Sequence, residues 1–207
     1  MIDIKIMAHP KRKENVQIIL DALGMDESIV CWDDRPNGGD AMYTARKAWL
    51  SPLSNECTHR LVLQDDVELC DDFIKHATAI ADRHKTHAVS FIHFMNPKNY
   101  PNHRNTPYYK LNNMPGCAIM LPRDVIKPCI DWCEKSDDMI LKPHDDLMIS
   151  KYCREHNVLM VGTMPCIVQH IGMQTLLKAT YDWDRICKNY SSNPSVDWTI
   201  HSVQRIN

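Results

Sequence analysis

Short strand-like apolar segments alternate with amphipathic helical segments along most of the chain, and this order points to an α/β fold with a sheet flanked by helices. Ile2 to Met7 alternates apolar and polar residues and stops at His9-Pro10. From Lys11 to Leu23 the apolar residues Val16, Ile19, Leu20 and Leu23 recur at helical spacing, and Gly24 supplies a stop. Ser28 to Trp32 reads as a second strand entering a loop, Asp33 to Gly39, after which Asp40 caps a helix to about Leu50. Arg60 to Gln64 is a short buried strand that delivers Asp65-Asp66 at its C-terminal end. A helix from Asp71-Asp72 to about His84 and a strand from Ala88 to Ile92 follow. Asn96 to Asn113 is polar, contains prolines and is long enough to suggest a functional loop. Cys117 to Leu121 then reads as a strand, Pro122 to Lys135 as a helix opened by proline, and Asp145 to His156 as a helix. Strands near Val158–Val161 and Cys166–Val168 complete the pattern. With no repeat or long linker, 1–207 is expected to form one domain, its core reaching about residue 172 and the tail 173–207 packing on it. Ligands in such sheets bind outside the carboxyl ends of the strands.

Only six glycines occur in 207 residues, fewer than half the usual ~7%. They form neither GxGxxG nor GxxxxGK, which argues against a dinucleotide fingerprint and a P-loop. A formal charge of −2 gives no global basic footprint for nucleic acid. The nine cysteines include no CxxC pair, so they read as reduced thiols of a cytoplasmic protein, and the local spacing of a tetrahedral zinc site is missing. No apolar run approaches the ~20 residues of a membrane span, and no membrane partner is expected.

Two acidic pairs carry the chemistry. Asp65-Asp66 ends an apolar strand, where adjacent carboxylates can hold a hard divalent cation that bridges phosphate oxygens. Asp145-Asp146 opens a helix; one acid can cap it while the other acts as a general base toward a hydroxyl. Each pair taken alone also reads as a simple cap. His170 leaves a C-terminal strand beside Gly172 and is a candidate metal ligand. His9, Pro10 and Arg12 follow the first strand, and Asp33 and Asp34 follow the second, where side chains can reach a nucleoside or a phosphate. Gly116, lacking Cβ, would let a donor sugar approach the backbone.

Gln64-Asp65-Asp66, the segment Gly116 to Arg123, the helix start His144-Asp145-Asp146-Leu147, and Gln169-His170 occur in the order seen in glycosyltransferases of the GT-A fold. The chain resembles a small viral, phage or bacterial member of that class from Ile2 to about Gly172. The resemblance implies a GT-A-like, Rossmann-like mixed sheet and a nucleotide-sugar donor, a UDP-sugar first among them, with Mn²⁺ or Mg²⁺ at its diphosphate. Asp66 then matches the metal-binding last acid of the DxD-type motif, Asp65 the acid that approaches ribose or sugar, and His170 the C-terminal histidine of the metal site. Asp145 or Asp146 matches the catalytic base of inverting members. Gln64 stands where the motif begins with an acid, which leaves fewer anionic ligands for the metal.

In the long loop, Lys98, Tyr100, His103, Arg104, Tyr108, Tyr109 and Lys110 interleave cations with aromatics. Of these, Tyr100, Arg104, Tyr108 and Tyr109 are the candidate acceptor-binding residues, suited to stacking on a sugar ring or a nucleobase. The acceptor is therefore open between a hydroxymethylated pyrimidine in phage DNA and a hydroxyl on a glycan or protein. Two further readings compete with a glycosyltransferase: a nucleotidyltransferase, disfavoured because no glycine precedes Gly24, and a non-catalytic nucleotide- or nucleic-acid-binding domain.

Overall fold

The computed structural model describes residues 1–35, 41–94, 107–141, 144–171, 187–200 and 203–204. Among these residues ten strands and five α-helices run in the order β1 (Ile2–Ala8), α1 (Lys13–Leu23), β2 (Val30–Trp32), α2 (Ala41–Leu50), β3 (His59–Gln64), β4 (Val67–Leu69), α3 (Phe73–Arg83), β5 (Ala88–Ser90), β6 (Tyr108–Lys110), β7 (Ala118–Pro122), α4 (Arg123–Lys135), α5 (Asp145–Glu155), β8 (Met160–Thr163), β9 (Val168–His170) and β10 (Val203–Gln204). Eight strands form one sheet in the order β10-β6-β8-β5-β7-β3-β1-β2, and β4 and β9 form a separate two-stranded ladder. This is the mixed, Rossmann-like α/β sheet anticipated from the alternation of segments.

The twofold period of the strands assigns their side chains to two apolar layers. Leu61 and Leu63 of β3, with Ala118 and Met120 of β7, face Val16, Ile19 and Leu20 of α1 and Phe73, Ala77 and Ile80 of α3. Val62, Ile119 and Leu121 point to the other face, toward Ala45, Ala48 and Trp49 of α2, Ile126 and Ile130 of α4, and Met148 and Ile149 of α5. Both faces of the central strands are covered, which explains why β3 reads as a continuous apolar run.

Strands β2, β1 and β3 run parallel, with Ile6 paired to both Val30 and Leu63. Strand β7 runs antiparallel between β3 and β5, pairing Leu61 with Met120 and Val89 with Met120. That reversal brings the start of β7 to the edge where β1 and β3 end. Gly24, at φ +62°, closes α1 in the left-handed conformation that glycine tolerates best, and its N–H donates to the Asp21 carbonyl at 3.2 Å.

Several boundaries differ from the sequence reading. Pro122 closes β7 and precedes α4, because β3 and β7 pair out to His59–Pro122. The strand expected at Cys166–Val168 is β9 at Val168–His170, displaced because its register is set by β4, a strand too short to be signalled locally. The loop after Asn96 contains β6, which pairs with β8 and receives β10 from the tail. Among the described residues no helix is long and apolar enough to cross a membrane.

Candidate functional site at the ends of β1 and β3

Strand β3 is held on both sides, by β1 and by β7, so its exit is fixed and Asp65-Asp66 project from the sheet edge. Beyond them Ile171 N–H donates to the Asp66 carbonyl at 3.0 Å, and Asn15 of α1 donates its side-chain amide to the Asp65 carbonyl. Both carboxylates are buried, at 6% and 7% exposure. Arg12, itself 8% exposed, donates from one nitrogen to Asp65 Oδ1 at 2.7 Å and to Asp66 Oδ2 at 2.6 Å. The backbone N–H of His9 donates to Asp65 Oδ2 at 2.7 Å. His170 Nε2 approaches Asp66 Oδ2 at 3.3 Å.

The two acids therefore differ in role and in proton affinity. Burial holds the Asp65 carboxyl above its ordinary range, although Arg12 and the His9 amide oppose this. Burial acts on Asp66 in the same direction, but contacts with His170 and Arg12 outweigh it and hold that group lower. For Arg12, burial works against the charge and the two carboxylates overcome it, raising its pKa. Asp66 keeps one oxygen, Oδ1, buried with no hydrogen-bond partner among the described residues. Such a carboxylate oxygen is costly unless a hydrogen-bond donor or a cation meets it. Ligand atoms of Asp66, His170 and Cys117, all buried, lie within 4.8 Å of one another.

The start of β7 forms the adjoining wall. Gln64 N–H donates to the Cys117 carbonyl at 2.9 Å, and Gly116 N–H donates to Asp146 Oδ2 at 3.2 Å. A Cβ on Gly116 would stand 3.0 Å from Gln64 Nε2 and 3.2 Å from Asp146 Cβ, so glycine permits this close approach. Asp146 opens α5, and its Oδ1 also accepts from the Leu147 N–H at 2.8 Å. Burial raises its pKa, partly opposed by these two backbone donors. Asp145 is 4% exposed, whereas Asp146 is only half-buried.

Of the expected site residues, Asp65, Asp66 and His170 meet at one end of the sheet, and Gly116 and Asp146 meet beside them. Others are placed differently. Arg12, expected at a phosphate, is committed to the two carboxylates as their buried counter-ion. Tyr108 and Tyr109, expected on an acceptor loop, are core residues of β6 at 1% exposure, so neither can stack on an acceptor. Tyr108 Oη donates to the Trp198 carbonyl at 2.8 Å, and the Tyr109 ring packs against Gly162 and His93. Apolar strand positions explain this burial better than the cation–aromatic pattern that suggested a loop. Tyr100 and Arg104 lie outside the described residues, as does the helix cap Asp40.

Near the end of β2, Asp33 is clamped by Arg35 through Oδ1 at 3.0 Å and Oδ2 at 2.8 Å, which lowers its pKa. Asp34 accepts from Tyr43 Oη at 2.8 Å and pairs with Lys47 at 2.8 Å. His9 faces the site with its backbone N–H, its ring accepts from Lys11 N–H, and Pro10 begins a short 3₁₀ turn on the surface. Sequence reasoning missed Asn15 and Cys117. Asn15 lies three residues after Arg12, one turn along α1, and was findable from that spacing; the thiol of Cys117 is brought in only by the reversed β7.

No protein-family model matches the chain, and no curated protein matches it. Among solved structures the chain is similar to A197 from STIV, with a TM-score of 0.47 and 10% sequence identity over 81% of this chain and 83% of that one.

Proposed function

We propose that the chain is a metal-dependent, inverting glycosyltransferase that moves a sugar from a nucleotide-sugar donor to an acceptor hydroxyl. The observation that carries this reading is the unpartnered buried oxygen of Asp66, set beside His170 where the parallel strands β1 and β3 end. A carboxylate and an imidazole suit Mn²⁺ and, less closely, Mg²⁺; Cys117 within reach adds a softer donor. These residues fit a divalent cation, which when bound would neutralise charge on a leaving nucleoside diphosphate.

The chain's own residues supply the remaining steps. Asp65, fixed by His9 and Arg12, faces the side where ribose or sugar hydroxyls would dock. Arg12 holds both carboxylates in place and limits their mutual repulsion. Asp146 is the base, because its raised pKa suits proton uptake from a hydroxyl and its Oδ2 is oriented by the Gly116 N–H. Asp145, more deeply buried at the first residue of α5, serves the helix start. With Tyr108 and Tyr109 in the core, the reading extends to an acceptor hydroxyl and not to DNA in particular.

The test is thermal unfolding with a panel of nucleotide sugars, UDP-sugars first, with and without Mn²⁺ or Mg²⁺. One donor class should raise the melting temperature in a cation-dependent way, as selective binding to the folded state requires. Asp66→Ala should lose that increment. Asp146→Asn should keep it and lose sugar transfer, scored by product mass. No stabilisation by any nucleotide sugar with either cation, or normal transfer by Asp146→Asn and Asp145→Asn alike, overturns the mechanism.

A further inference from the structure

A second cluster of soft ligands lies in the core, outside the acidic site. His93 follows the exit of β5, Cys166 precedes β9, and Cys187 belongs to the C-terminal segment. All three are nearly inaccessible, at 1%, 0% and 2% exposure, and their ligand atoms lie within 4.8 Å of one another. They come from three stretches of chain that are stitched together around the cluster. Ile167 N–H donates to the Phe91 carbonyl at 3.2 Å, Cys166 N–H to the Asn189 carbonyl at 2.9 Å, and Ser191 N–H to the Cys166 carbonyl at 3.0 Å.

We propose that His93, Cys166 and Cys187 form a structural zinc site that fastens the C-terminal segment to the core. The donor set, two sulfurs and an imidazole, is the soft N/S combination that Zn²⁺ takes, and it is poorly suited to Mg²⁺ or Ca²⁺. Charge selects the divalent ion. Two thiolates and Zn²⁺ sum to zero, whereas a monovalent ion would leave a net negative charge in the core, and the three side chains leave the fourth tetrahedral position to a small ligand such as water. Binding releases the two thiol protons to solvent and requires no redox partner. The Zn–S and Zn–N lengths of about 2.3 Å and 2.0–2.1 Å place tetrahedral ligands roughly 3.5–3.8 Å apart, inside the 4.8 Å within which these three ligand atoms lie.

The two sulfurs already behave as a pair. Burial raises the Cys166 thiol, and its hydrogen bond to Cys187 adds to this, while the same contact lowers the Cys187 thiol. The site also bears on His170. Gln169 donates to the Cys187 carbonyl at 3.0 Å, and its Oε1 accepts from Cys187 N–H at 2.6 Å and from His170 N–H at 3.1 Å. An ion that fixes Cys187 would therefore steady the strand that carries His170. The absence of any CxxC pair concealed this arrangement, because its ligands are brought together by tertiary structure alone.

The experiment is elemental analysis of the full chain after reconstitution with Zn²⁺ and removal of excess metal. The wild type should hold one equivalent of zinc that Cys187→Ser loses and Asp66→Ala keeps, which separates this site from the acidic one. Because Cys187→Ser could misfold, the wild type is also loaded with Co²⁺. An intense thiolate-to-cobalt charge-transfer band with tetrahedral d–d absorption is expected, and His93→Cys should retain metal. Zinc content unchanged in Cys187→Ser, no zinc and no thiolate band in the wild type, or a Cys166–Cys187 disulfide in reconstituted protein would overturn the proposal.

Discussion

Replacing Arg12 with methionine keeps a long apolar stem and removes the guanidinium that donates to Asp65 at 2.7 Å and Asp66 at 2.6 Å. The three side chains are 8%, 8% and 10% exposed, so the pair interactions are screened little by water. Removing one partner of a buried ion pair costs about 3–5 kcal/mol, since the other charge is left uncompensated. Here the lower end applies, because Asp65 keeps the His9 N–H and Asp66 keeps His170. A loss of about 3 kcal/mol corresponds to a melting temperature lower by roughly 6–12 °C for a chain of this size. The deficit depends on pH. In the wild type Asp66 is held below its ordinary value, so it stabilises above the unfolded-state pKa and loses that contribution as pH falls through the folded one. Without Arg12 both acids lose a charge partner and their folded pKa values rise, Asp65 further above its already raised position, so acidification costs the variant less than the wild type. The gap between wild type and variant should thus be widest near pH ~7 and narrow toward pH ~4. Urea unfolding followed by tryptophan fluorescence measures it. A deficit under about 1 kcal/mol at neutral pH, the range of exposed pairs, or one that stays constant on acidification, refutes the reasoning.

Gly162→Ala should destabilise the chain by about 1–3 kcal/mol through overpacking, because its Cβ would lie 2.5 Å from Tyr109 Oη on a buried ring; unchanged urea midpoints would contradict that contact. Gly116→Ala meets Gln64 Nε2 at 3.0 Å and Asp146 Cβ at 3.2 Å, so it should shift the site while sparing the fold. The expected result is sugar transfer lowered ~10-fold or more, as small displacements of reacting groups do, with a melting temperature near wild type. Equal transfer rates would remove Gly116 from the site.

The central sheet was legible because β1, β3 and β7 carry their period or apolar run within a few residues, and Asp65-Asp66 follow directly from β3. His170 and Asp146 are joined to the acids in the sequence only through the family resemblance, since no local pattern signals the long-range pairing that brings them there. The misreading of Tyr108 and Tyr109 has a definite cause: three strand residues amid polar, proline-containing sequence give too short a signal, and β6 takes its identity from β8. Arg12 was visible as a cation near the first strand end, yet its partners lie 53 and 54 residues away, beyond any local pattern. Cys166 and Cys187 were missed for the same reason.

The reversed strand β7 also governs how the chain emerges during synthesis. Strands β1, β2 and β3 can pair once Gln64 has emerged from the ribosome, but β3 then presents a hydrophobic open edge until Ala118 to Pro122 arrive. An unpaired edge of this kind invites association with other chains. The same arrival delivers Gly116 and Cys117 to the acids, and Asp146 and His170 come later still. Truncated N-terminal products should therefore be both inactive and prone to aggregate, whereas completion of the chain closes the sheet and assembles the site together.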